Sequence, residues 1–205
     1  KDYQKALQLY LKAKSSRHNE GQIGYIYEHG LGTPIDINKA IEHYQKGVDL
    51  GCTGCMHNLG TLYYKGEGCQ KDYNKAFELF KKASDLGEIA AHGWLADCCF
   101  YGYGTQKDYQ KALQLYLKAK SNGHNEAQIG RIYRDGLGTS VDINKAIEHY
   151  QKSIDFGNTD SMISLGILYY EGKGIQQDYQ KAFELFKKSS DLENKTAHAW
   201  LAECY

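Results

Sequence analysis

The sequence predicts an all-α fold, a solenoid of antiparallel helix hairpins with a period of 34–36 residues. Three observations carry that prediction. The hexapeptide Asp72-Tyr-Asn-Lys-Ala-Phe77 is written six times, with its Asp at 2, 36, 72, 108, 142 and 178. After each Asp, apolar residues recur at spacings of three and four, the stripe of an amphipathic helix. Between the stripes stand Gly-x-Gly turns, at 30/32, 66/68, 102/104, 136/138 and 172/174.

The chain opens on one of the striped helices, here named helix B. Asp2 is a good N-cap, because its carboxylate accepts from orphan N–H groups of the first turn. Ala6, Leu7, Leu9, Tyr10 and Ala13 form the stripe over residues 1–14, and Tyr44, Phe80, Tyr116, Tyr150 and Phe186 refill the Tyr10 position. The other helix, helix A, has the core Ile23-Gly24-Tyr25-Ile26-Tyr27, rewritten at Leu59, Leu95, Ile129, Leu165 and Leu201. Its small second residue is Gly, or Ala at 96 and 202. Mid-helix glycine costs about 1 kcal/mol against alanine, so its recurrence points to close packing. The first Gly of each turn suits the left-handed position that ends a helix. The second permits a tight turn into the next Asp cap. The Asp-to-Asp step is 34 rather than 36 in two places, and a late start of helix A, near Asn19 in the first case, accounts for it.

A second period overlies the first. Residues 1–15 are identical to 107–121, and residues 1–99 differ from 107–205 at 30 positions. The chain is a three-repeat block of 106 residues written twice. The expected organisation is a single repeat domain over 1–205: helix B at 1–15, five repeats at 16–51, 52–87, 88–123, 124–157 and 158–193, and helix A at 194–205. Both ends fall inside a repeat. Repeat arrays require capped ends, so more repeats in a longer chain, or end-to-end self-association, are expected.

Leu-Gly-x-x-Tyr-x-x-Gly-x-Gly followed by Asp-x-x-Lys-Ala and an aromatic resembles the Sel1-like repeat, a relative of the tetratricopeptide repeat. The departures are Cys99 for Tyr, and Ala96 and Ala202 for Gly. The resemblance implies a right-handed superhelix with A helices lining its concave side. It also implies a non-catalytic adaptor or scaffold for protein–protein interaction. Related arrays serve as regulatory arms of kinases or other catalytic domains, which is the alternative reading. A repeat protein with intrinsic hydrolase activity is a third.

Groove positions of the tetratricopeptide fold, transferred by analogy, fall at −5, −2, +2, +5 and +6 from the Leu of Leu-Gly. In the first block they select Gly21, Tyr25, Glu28, His29, Gly54, His57, Thr61, Tyr64, Lys65, Ala90, Gly93 and Asp97. The second block holds Ala127, Arg131, Arg134, Asp135, Asp160, Ile163, Ile167, Tyr170, Glu171, Thr196, Ala199 and Glu203. Only the Tyr64/Tyr170 pair is unchanged, so 11 of 12 differ against 30 of 99 overall. Exposed positions drift in any duplicated protein, yet Gln8, Lys12 and Lys14 on helix B did not. The sharper reading is a concave face diversified to hold a peptide or a partner's helix. Tyr25, Tyr64, Phe100, Tyr101 and Tyr170 supply aromatic area with a polar tip. Glu28 and Asp97 face one segment of such a partner, while Arg131 and Arg134 suit a carboxylate or phosphate.

Lys+Arg 25 balances Asp+Glu 25, which leaves no electrostatic footprint for nucleic acid. No apolar run is long enough to insert into a membrane. Six cysteines, at 52, 55, 69, 98, 99 and 204, do not follow the repeat. They read as reduced thiols and a cytoplasmic setting, with the endoplasmic reticulum lumen or secretion as the other settings. Cys52-x-x-Cys55 with His57 lacks the four ligands of a structural zinc site, and Cys55 fills a slot that Ala91 fills one repeat later. Histidines come as copies (18/124, 43/149, 92/198), which favours structural roles. No catalytic, metal or cofactor constellation emerges.

Overall fold

The computed structural model describes residues 2–205, and among them it contains twelve helices and no strand. These fall into two compact units, one ending at Asp108 and one spanning Tyr109–Tyr205. The first holds α1 (Tyr3–Lys12), α2 (Arg17–His29), α3 (Ile37–Asp49), α4 (Thr53–Lys65), α5 (Tyr73–Asp85) and α6 (Ile89–Tyr101). The second holds α7 (Tyr109–Lys118), α8 (Gly123–Asp135), α9 (Ile143–Asp155), α10 (Thr159–Glu171), α11 (Tyr179–Asp191) and α12 (Lys195–Glu203). Odd numbers are B helices and even numbers A helices. Within each unit α2, α4, α8 and α10 pack mainly on the B helix that follows and less on the one before, while α6 and α12 pack on the B helix before them. Among the described residues no helix is long and apolar enough to cross a membrane.

The B helices begin as their sequence dictates. The carboxylates of Asp2, Asp36, Asp72, Asp142 and Asp178 each accept from the N–H three residues on. Four of them also tie a hairpin together through their own N–H: Asp36 donates to Tyr27 O at 2.9 Å, Asp72 to Tyr63 O at 3.0 Å, Asp142 to Tyr133 O at 2.9 Å and Asp178 to Tyr169 O at 2.9 Å. Each A helix from α2 to α10 ends on a left-handed glycine, for example Gly66 at φ 74°, whose N–H donates to the Leu62 carbonyl. Gly66→Ala is expected to destabilise the unit by about 1–2 kcal/mol, since a Cβ is crowded in the left-handed region. A urea unfolding curve indistinguishable from wild type would contradict this.

The second glycine of each turn does more than turn. A Cβ on Gly32 would lie 2.6 Å from the Gln4 amide nitrogen, and one on Gly68 or Gly104 would run into Ile37 or the Tyr73 carbonyl. The turn therefore rests against the start of the preceding B helix. The small residue inside helix A has an equally specific partner. A Cβ on Gly24 would meet the Tyr44 ring at 2.6 Å, on Gly60 the Phe80 ring at 2.8 Å and on Gly130 the Tyr150 ring at 2.7 Å. Those rings are fully buried or nearly so, and with Met56, Leu59, Leu62, Ile129, Ile132 and Met162 they make the cores of the two units.

The shorter period is resolved differently from the sequence expectation. Helices α2 and α8 do not start late: each has 13 residues, as α4 does. The shortened elements are the B helices before them, α1 and α7, with 10 residues against 13 in α3. The four-residue links that follow are rebuilt by side chains. Ser16 and Asn122 cap α2 and α8, and the Asn19 and Asn125 amides donate to the Lys14 and Lys120 carbonyls at 2.8 and 2.9 Å. The Ser15 and Ser121 hydroxyls donate to Glu20 and Glu126, both at 2.5 Å, and each carboxylate's other oxygen lies 2.7 Å from Nδ1 of His43 or His149. The copied histidines 43 and 149 thus complete buried structural networks.

Candidate interaction surface

The residues expected to form the surface divide between the two units. On α2, Tyr25 is exposed and its ring stacks on His29 at 4.1 Å. Glu28 is turned inward: the Tyr44 hydroxyl donates to its carboxylate at 2.5 Å. On α4, Thr61 donates its hydroxyl to the His57 carbonyl at 3.0 Å, and Lys65 pairs with Glu67 at 3.5 Å. The His57 ring faces Asn58, 3.1 Å from its amide oxygen. Asp97 and Phe100 on α6 are 7% and 3% exposed, so they correct the expectation that they line an open face. Of the two acids, Asp97 is buried and Glu28 is partly buried with the Tyr44 hydroxyl on its carboxylate.

Tyr64 and Tyr101 belong to a wider aromatic group than the sequence offsets suggested. Tyr64 meets Trp94 at 5.1 Å, Tyr73 at 5.3 Å and Tyr103 at 5.7 Å, and Tyr101 stacks on Tyr103 at 5.3 Å. Burial, and after it the Asp97 carboxylate, raise the Tyr64 hydroxyl above the ordinary tyrosine range. In the second unit Tyr170 meets Tyr179 at 5.3 Å and Trp200 at 6.0 Å. Tyr73, Trp94 and Tyr103 escaped the sequence reading because they lie on a B helix, off the transferred offsets, and in a turn. The recurrence of the two tryptophans at 94 and 200 was the available signal.

The second unit brings more of the expected residues together. His124, Ala127, Gln128, Arg131, Arg134, Tyr150, Asn158, Asp160, Ser161 and Ser164 line a cavity of about 330 Å3. Arg134, Asp135, Ile167, Leu168, Glu171 and Lys173 are among the residues around a second cavity of about 400 Å3, so Arg134 stands between the two. Arg134 grips Asp135 with two hydrogen bonds, Nε to Oδ1 at 2.6 Å and Nη2 to Oδ2 at 2.9 Å, while Arg131 lies 3.8 Å from the same carboxylate. Position 134 is Glu28 in the first unit. The exchange removes the carboxylate acceptor of the core tyrosine: Tyr150 is 2% exposed, and its hydroxyl has the Ser164 side chain beside it in place of an acid. Burial pushes that hydroxyl up to about 12, so it is a protonated donor at neutral pH. His18 and His124, passed over because helix A was expected to begin later, line corresponding cavities. The capping residues Ser16 and Asn122 could have revealed them.

The cysteines require a correction. Cys52 and Cys55 form a disulfide, with Cα atoms 5.2 Å apart, so the expectation of six reduced thiols fails at this pair. Of the other four, Cys98 and Cys99 are buried and Cys69 and Cys204 are partly buried. Cys55 does occupy a buried slot, as expected, being 1% exposed. Four bonded positions in the second unit, Gly123, Ser153, Asn158 and Ser161, show what the bridge replaces: Ser161 donates to Ser153 Oγ at 2.8 Å, and Ser153 to the Gly123 carbonyl at 2.6 Å. Among the described residues no group of three or more His, Cys, Asp or Glu could hold a metal ion.

No curated protein matches the chain. Among solved structures, a Sel1 repeat protein from Oxalobacter formigenes superimposes with a TM-score of 0.76 at 32% identity, covering 95% of this chain and 81% of that one. The protective antigen c5321 of uropathogenic Escherichia coli, described as displaying an SLR fold, aligns over 100% of this chain and 52% of its own, with TM-score 0.59 and 24% identity. A putative Sel1 repeat protein from Klebsiella pneumoniae aligns over 92% of both chains with TM-score 0.56 and 20% identity. A family model for the Sel1 repeat matches residues 1–18, 22–52, 54–88, 89–124, 126–158 and 159–194. The chain belongs to the Sel1 repeat family, whose members are generally non-catalytic protein-interaction scaffolds.

Proposed function

We propose that this protein is a scaffold whose A-helix face in the second unit holds an extended peptide segment bearing a carboxylate. The observation that carries the reading is the exchange of Glu28 for Arg134 between the two blocks. In the first unit the core tyrosine is satisfied by an internal acid. In the second the acid is gone, the buried Tyr150 hydroxyl keeps Ser164 beside it but has no acceptor for its own proton, and arginines 131 and 134 line the cavity with it. A buried donor without an acceptor is costly, about 1–3 kcal/mol, and a ligand oxygen entering that cavity would recover it. Arg134 keeps Asp135 as its resting partner, which positions the guanidinium fork beside the opening. The aromatic cluster of Tyr170, Tyr179 and Trp200 in the same unit offers rigid area for neighbouring side chains of the peptide.

The test is a peptide array followed by fluorescence anisotropy on the full chain. Peptides with Asp or Glu are expected to bind best. Arg131→Ala with Arg134→Ala is expected to weaken them about tenfold or more, since hydrogen bonds to charged groups contribute about 1.5–3 kcal/mol. Tyr150→Phe, which keeps the ring in the core, should weaken binding several-fold. Affinities unchanged in these variants would overturn the assignment of the site. Loss of binding on Tyr64→Ala alone would move the surface to the first unit.

A further inference from the structure

The Cys52–Cys55 bridge does not follow from the fold or from peptide binding. Cys52 is the N-cap of α4, and its Sγ accepts from the Cys55 N–H at 3.1 Å. In the reduced pair, that N–H and the positive end of the helix would favour the Cys52 thiolate, the form that attacks and is attacked in thiol exchange. The two sulfurs differ in access. Cys52 is partly exposed on an open cavity of about 290 Å3 that it shares with Arg17, His18, Tyr25 and Asn58, whereas Cys55 is 1% exposed. Arg17 brings a positive charge to the lining of the same cavity.

The duplicated block shows that the architecture stands without this bridge. A Cβ on Gly47 would collide with Cys55 Sγ, and one on Gly21 would lie 3.1 Å from it. The second unit has Ser153 and Ala127 at those places, with Asn158 and Ser161 for the cysteines, and hydrogen bonds hold the turn. All four positions change together, so the first unit is shaped around the sulfur pair. A bridge between residues three apart also closes too short a loop to stabilise much by chain entropy.

We propose that Cys52–Cys55 is a thiol–disulfide exchange site for an anionic thiol, with Cys52 the exchanging sulfur and Cys55 the resolving one. The incoming thiolate attacks Cys52 Sγ and the S–S bond breaks. Cys55 leaves as thiolate and takes a proton from water. A second thiolate then attacks the incoming thiol's sulfur in the mixed disulfide and releases Cys52. The sum is two thiols oxidised to their disulfide and the Cys52–Cys55 pair reduced by two electrons and two protons; run backwards, the dithiol reduces the incoming disulfide.

The experiment equilibrates the full chain with glutathione and its disulfide at graded ratios, blocks thiols with a maleimide and reads Cys52 and Cys55 by mass spectrometry. The pair is expected to pass from oxidised to reduced within the range. In Cys55→Ser, oxidised glutathione should modify Cys52 at least about tenfold faster than Cys69 or Cys204, because those thiols are raised by burial. Arg17→Ala should slow glutathione but not the uncharged disulfide of 2-mercaptoethanol. The combined variant Gly47→Ser, Cys52→Asn, Cys55→Ser copies the second unit and serves as a folded control that loses the reactivity. A pair that stays oxidised, or stays reduced, at every ratio overturns the proposal. So does a Cys52 in Cys55→Ser no faster than Cys69.

Discussion

Replacing Phe80 by alanine is expected to lower the unfolding free energy by about 3–5 kcal/mol, the range for removing a buried aromatic from a close-packed core. Phe80 is fully buried, stacks on Trp94 at 5.8 Å and fills the space left by the missing side chain of Gly60. The converse change shows the same contact from the other side. Gly60→Ala gains about 1 kcal/mol of helix propensity, but its Cβ would stand 2.8 Å from the ring. Overpacking costs about 1–3 kcal/mol, and the stacked ring has no free direction to retreat. Gly60→Ala should therefore destabilise wild type, and should be neutral or stabilising once Phe80 is leucine. A double-mutant cycle by urea denaturation measures that coupling. Additive effects would mean the glycine does not owe its place to the ring.

Glu20→Ala is expected to cost about 2–4 kcal/mol, because two partners lose their acceptor at once, each worth about 1–3 kcal/mol. Glu20 is 5% exposed and holds the Ser15 hydroxyl at 2.5 Å and His43 Nδ1 at 2.7 Å. Burial works to raise its carboxyl, but the hydrogen bonds from Ser15 and His43 outweigh it and hold the group below its ordinary value of 4.5. A carboxyl whose folded value is depressed contributes stability that is complete above that ordinary value. The contribution is lost as pH falls through the lower, folded value. Wild type should thus lose urea resistance below about pH 4.5 more steeply than Glu20→Gln. Parallel acid profiles for the two proteins would count against the network.

Phe80 and Glu20 also mark how legible the chain was. The aromatic position of helix B and the small residue of helix A repeat with the period, so their close packing could be read before any coordinates. That Gly60 faces Phe80, and Gly24 faces Tyr44, required the structure. Glu20 was invisible for another reason. Its partners lie 5 residues before and 23 after it, and no periodic pattern links them. The shortened B helices were misassigned for the same cause. A two-residue deletion can be absorbed at any point of a loop, and the side-chain caps that hold α2 at full length become evident only when Ser15, Asn19 and Glu20 are seen together.

The surface divides along the same line. The offsets found the residues that differ between blocks, and Arg131, Arg134, Asp135, Ile167 and Glu171 do line the two cavities of the second unit. They also selected Glu28 and Asp97 as presented charges, but Asp97 is buried and the Glu28 carboxylate accepts from the Tyr44 hydroxyl. The sequence by itself determined the helices, the Asp caps of the B helices, their order and their repeat, because those depend on residues a few positions apart and are written many times over. Tertiary structure alone decided which side chains are used up inside: the acid on Tyr44, the Tyr150 hydroxyl left without an acid, the sulfur pair against Gly47. Those outcomes depend on which groups from distant helices compete for the same partner, and spacing along the chain carries no record of that competition.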